Sequence, residues 1–190
     1  MPEQPELLVT DVVAWRSWLD SNEDVSDGVW LVLAKKGSTT PTSLTYSQAL
    51  LEALCSGWID GQTKSKDAAT YAIRFTPRRR RSLWSARNVG YVAQLTAEGR
   101  MRPRGVAEVD AAKADGRWER AYAGPATAKI PDDLAEALAA RPPASAAFNA
   151  LKSQERFAVL FQLMTASDDA TRARRLATQL QKLETRTQED

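Results

Sequence analysis

Histidine is missing altogether from these 190 residues, and cysteine occurs once, at Cys55. The first absence excludes Ser-His and Cys-His nucleophilic catalysis and removes the commonest transition-metal ligand, so neither a metal nor a catalytic residue is assigned. The second excludes an internal disulfide and agrees with a reducing compartment. Cys55 lies in the apolar run LLEALCSGW and reads as a buried small hydrophobe rather than a reactive thiol. No run of about 18 apolar residues exists, so no membrane span is expected. The opening MPEQPELLVTDVVAWRSWLD carries acids where a signal peptide needs a positive region, and no continuous apolar core follows. The chain is therefore read as cytoplasmic. The P-loop, the Rossmann glycine fingerprint, the nucleophile elbow and paired CxxC are also missing, and no cofactor is expected.

What is present is an ordinary globular composition, 43% hydrophobic and 26% charged, with charge of one sign gathered in one place. Between Tyr71 and Arg104 stand nine arginines (74, 78, 79, 80, 81, 87, 100, 102 and 104) against a single acid, Glu98. A net charge of +2 conceals this local positive field, which favours an anionic partner.

The pattern predicts an α+β fold: a small antiparallel β-sheet packed with helices in the N-terminal part, followed by a C-terminal helical bundle. We divide it as residues 1–120, a linker over 121–130 where the composition turns to Ala, Pro and Gly, and helices over 131–190. A first helix is expected from about Val12 to Asp20, and a strand over Val29–Ala34, where β-branched and aromatic residues cluster. Thr45 to Gln48 spells a capping box that opens a helix closed by Gly57. Trp58–Thr63 and Tyr71–Thr76 read as paired strands, with Trp58, Asp60 and Gln62 on one side, Asp60 across from Arg74, and Tyr71, Ile73 and Phe75 facing the core. Ser85 is expected to cap a helix over Ala86–Ala97, and Pro103 to open the next. Further helices are read from Pro131, over Ala144–Leu151, from Gln154 to about Ala166, and from about Asp169 to Leu183.

The stretch FTPRRRRSLWSARN carries the most chemistry. A guanidinium is always charged and offers a planar fork of donors suited to phosphate and carboxylate, and a helix start nearby adds backbone amides. The functional reading groups Trp58, Asp60, Gln62, Arg74, Thr76, Arg78, Trp84, Ser85 and Asn88 around one surface that takes a small phosphate- or carboxylate-bearing ligand. The competing reading pairs Arg74 with Asp60 as a cross-strand bridge, makes Trp84 a core anchor and leaves Arg79 to Arg81 solvated. Two further functions stay open: nucleic-acid binding through Arg78–Arg81 with Arg87 and Arg100–Arg104, and a histidine-independent enzyme with Asp60 as base.

The words GVWLVLAKKG, SLTYSQALLEALCSGWIDGQ, YAIRFTPRRRRSLWSARN, AEGRMRPRGVAEVDAAKADGRW and TRARRLATQLQKL together resemble the YdeI/OmpD-associated, or bacteriocin-protection, family from about Trp15 to Leu183. The resemblance implies an N-terminal α+β domain and a C-terminal OmdA-like helical segment. It also implies a link to tolerance of bacteriocins or cationic antimicrobial peptides, and association with a porin in some members. Trp58, Asp60, Gln62, Arg74, Thr76, Pro77, Arg78, Trp84, Ser85 and Asn88 match its motifs, and no catalytic residue comes with them. Porin contact is not expected of a chain read without an export signal.

Overall fold

The structure is a computed structural model, and it describes residues 5–189. Two compact units emerge, one of residues 1–82 with 88–118, the other of residues 83–87 with 119–190. The fold is α+β, with all the strands of the described residues in the first unit.

In chain order the first unit holds β1 (Glu6–Leu7), α1 (Val12–Asn22), β2 (Val29–Ala34), α2 (Tyr46–Cys55), β3 (Trp58–Ser65), β4 (Thr70–Pro77), α3 (Ala86–Ala97, of which residues 86 and 87 group with the second unit) and α4 (Pro103–Ala114). The sheet order is β1-β2-β4-β3, antiparallel except for β1 on β2. That parallel β1 makes the sheet mixed. Its two residues were too few to show the alternation by which the other strands are recognised.

Local chemistry accounts for most boundaries. Asp11 caps α1 by accepting from the amides of Val13 and Ala14. Thr45 and Gln48 form the expected capping box at α2, the Gln48 N–H donating to Thr45 Oγ1 and the Thr45 N–H to Gln48 Oε1. Gly57 ends that helix in the left-handed region at φ +70°, and Pro103 opens α4 at its first turn.

One sheet face packs against α1 and α2. Val29, Leu31, Leu33, Ile73, Phe75 and Trp58 meet Trp15, Leu19, Ala49 and Ala53 in a closed core. Trp15 stacks on Trp18 at 5.3 Å and tilts against Phe75 at 5.6 Å, while its indole N–H donates to Ala49 O. Trp18 meets Trp58 edge-on at 5.7 Å. Aromatic pairs in these geometries add about 0.5–1.5 kcal/mol each beyond the area they bury.

The second unit holds α5 (Asp132–Ala139), α6 (Pro142–Ala150), α7 (Ser153–Met164) and α8 (Asp169–Glu189). Leu134, Phe148, Leu160, Leu163, Leu180 and Leu183 fill its core. The last helix runs a turn and more past the expected Leu183, because the polar TRTQ stretch gives no stop signal.

Candidate functional site

The hairpin register corrects the expected surface. Asp60 lies opposite Phe75, not Arg74, and Arg74 pairs with Trp30 of β2. Directly opposed residues share a face, so Asp60 and Arg74 stand on opposite sides of the sheet. The cause is at hand: the register shifts between Asp60 and Thr63, where β3 carries one residue more than β4 opposite it. Gln62 falls within this bulge and is exposed, so it does not continue the row of Trp58 and Asp60.

Trp58 is fully buried in the core, with its indole N–H donating to Glu23 O at 3.3 Å. Asp60 is half-buried and its Oδ2 accepts from the Tyr46 hydroxyl at 2.8 Å, tying β3 to the first turn of α2. Arg74 and Thr76 are half-buried on the other face, whose residues also include Trp30, Val32, Ala72, Ile59 and Lys64. There Lys64 passes across the small Ala72 to set its ammonium 4.4 Å from the Trp30 ring, and it pairs with Glu6 at 3.1 Å. Asn88 is buried. Trp84, buried as the competing reading had it, and Ser85 belong to the second unit, where Tyr122 N–H donates to Trp84 O and Ala86 N–H to Tyr122 O.

The arginine run divides. Arg78 is only 5% exposed, and its backbone N–H donates to Gly57 O, so the exposed run has three members and not four. Arg79 to Ser82 form a closed turn: Ser82 N–H donates to Arg79 O at 2.8 Å, and Arg79 N–H donates back to Ser82 Oγ at 2.9 Å. Arg117, itself held to Asp115, donates to Ser82 O at 2.9 Å and anchors the turn. Arg79, Arg80 and Arg81 are exposed, and none forms an ion pair with a described residue. The turn therefore presents three positive charges on a fixed backbone.

The second half of the basic stretch is spent inside the fold. Glu52, 5% exposed on α2, accepts from Arg100 at 2.7 Å and from Arg102 at 3.0 Å. Arg102 also donates to Ser56 Oγ, to Glu52 O and to Asp20, and its N–H donates to Cys55 O, so it caps the carbonyl end of α2. Arg100 reaches Glu98 as well, and Arg104 reaches Asp24. Gln94 and Arg100 together hold the Glu98 carboxyl below the usual carboxylate range. Burial pushes the Cys55 thiol up, as expected of an inert packed cysteine. This buried cluster was missed in the sequence; the sign was Glu52, the one acid in the apolar run LLEALC.

The chain is of the α+β class, with a sheet-bearing unit followed by a helical one. Residues 7–108, more than half of the chain, match the family described as a domain of unknown function (DUF8412), and the chain belongs to that family. Residues 127–186 match the family described as Bacteriocin-protection, YdeI or OmpD-Associated, which bears out the resemblance drawn above over that stretch. The WIDGQ, RFTPRR and SLWSARN words fall within the first match and the TRARRLATQLQKL helix within the second. No curated protein and no solved structure matches the chain. No helix of the described residues is long and apolar enough to cross a membrane, and no described group of acids and cysteine has the makings of a metal site.

Proposed function

We propose that this protein of the YdeI/OmpD-associated type is a non-catalytic binding protein, and that its ligand is a phosphate- or carboxylate-bearing anion docked on the Arg79–Arg81 turn at the end of β4. One observation carries the reading: three exposed guanidinium groups sit on an ordered turn with no acid of the described chain against them, while the neighbouring Arg100, Arg102 and Arg104 are all neutralised. Fixing the turn beforehand lowers the ordering cost of binding. A cytoplasmic setting suits the free, buried Cys55. A tie to bacteriocin tolerance belongs to the same proposal and rests on the description of the match over residues 127–186.

A nucleic acid is the second reading, favoured by the exposure of the whole turn, which suits a phosphate backbone as well as a single small anion. Titrating the chain with pyrophosphate and with a labelled single-stranded oligonucleotide separates the two. The R79Q/R80Q/R81Q variant is expected to lose binding in either case and to keep its stability within about 0.5 kcal/mol, as exposed substitutions do. A nucleic-acid ligand adds a log-log salt slope of about −2, from roughly three phosphate contacts at about 0.7 each. Unchanged affinity in the triple variant would remove the proposal.

A further inference from the structure

A groove of about 350 Å³ lies wholly within the second unit, between α7 and α8. Its size falls within the range of small-molecule sites, about 300–1,000 Å³. Two stripes at helical spacing build it, residues 155, 158, 159 and 162 on α7 and residues 179, 182, 183 and 186 on α8. The helices run antiparallel. Arg186, near the end of α8, holds Glu155 at 2.8 Å near the start of α7, and Arg175, in the first half of α8, donates to Gln162 O at 2.8 Å near the end of α7. Both ends of the groove are thereby pinned. Between the pins Ala158 offers only a methyl group, which leaves a hollow along about 10 Å of helix, at about 1.5 Å of rise per residue.

Buried Leu151, Val159 and Leu183 form the floor of this hollow. Three charged residues line it, and two of them answer each other: Glu155 accepts from Arg186 on Oε1 and from the Lys152 N–H on Oε2. The third, Lys182, is exposed on the rim and forms no ion pair with a described residue. The lining therefore carries one positive charge in excess, beside an aliphatic floor. That combination selects among ligands. An amine would meet its like, and an inorganic anion would satisfy Lys182 but leave the floor in water. A neutral hydrocarbon would cover the floor and give the ammonium no counter-charge. A carboxylate on an apolar chain does both.

We propose that this groove binds a free aliphatic monocarboxylate, its carboxylate on Lys182 and its chain along Leu151, Val159 and Leu183. The site is separate from the arginine turn and does not rest on the function proposed for it. NMR titration of the full chain with hexanoate, hexanamide and acetate, followed at the Val159 and Leu183 methyl groups, tests it. Hexanoate is expected to shift these signals saturably. Hexanamide, without the charge, and acetate, without the chain, should each bind about fivefold more weakly or worse, the charge being worth what an exposed ion pair contributes. Lys182→Gln should weaken hexanoate about fivefold, and Ala158→Met, which fills the hollow from an exposed helix position, at least tenfold. Neither should move the melting temperature. The R79Q/R80Q/R81Q variant should bind hexanoate at these methyl groups unchanged, which separates the groove from anion binding at the turn. No saturable shift with hexanoate, equal binding of hexanamide, or unaltered affinity in either single variant would overturn the assignment.

Discussion

Arg79–Arg81 and Arg100–Arg104 come from one short stretch of sequence and carry equal numbers of arginines, yet the fold treats them oppositely. The later set is folded onto the carbonyl end of α2, where Glu52, Asp20 and Asp24 meet it. The earlier set is lifted onto a turn, where none of its arginines forms an ion pair with a described residue. Composition therefore says little about whether an arginine is part of the scaffold or part of a surface. What decides it is whether a helix end and a buried carboxylate lie within reach.

The contrast is broken most severely at Glu52. Replacing it by alanine leaves Arg100 and Arg102 facing a buried gap, and losing one partner of a buried ionic cluster costs about 3–5 kcal/mol. Urea denaturation should record that loss. Gly105→Ala comes next. A Cβ there would stand 2.1 Å from Cys55 O, a backbone atom, so α4 must retreat from α2 and the Arg102 cap is disturbed. Overpacking of this kind costs about 1–3 kcal/mol, measurable in the same experiment. Acid gives a smaller effect. Because Glu98 has its pKa lowered in the folded state, its contribution is present above the unfolded value of about 4.3 and is lost as pH falls through the lower folded one. Urea midpoints should decline over that range, and Glu98→Gln should flatten this part of the decline. The R79Q/R80Q/R81Q turn sits at the bottom of the series for stability and at the top for anion affinity.

Much of the fold could be read from local signals. The β-branched run of β2, the T-Y-S-Q box at Thr45, the bounds of α3 at Ala86–Ala97 and the Pro103 start of α4 each depend on a few adjacent residues, and each lies where expected. The arrangement of side chains across the hairpin could not be read this way. One extra residue in β3 shifted its phase, setting Asp60 beside the helices while Arg74 went to the other face. The burial of Arg78 and of the Glu52 cluster likewise depends on which distant segments close over them. In Glu52 a hint was available, since a lone acid among leucines and alanines needs a cation.

Lys64 and Lys66 reach from one edge of the sheet to Glu6 at the other. Strand β1 offers only two residues of ladder to β2, and these ionic contacts join the packing of Leu7 and Val9 against the core in holding it. Any change that parts β3 from β4 therefore also takes from β1 its ionic anchors at the far edge of the sheet.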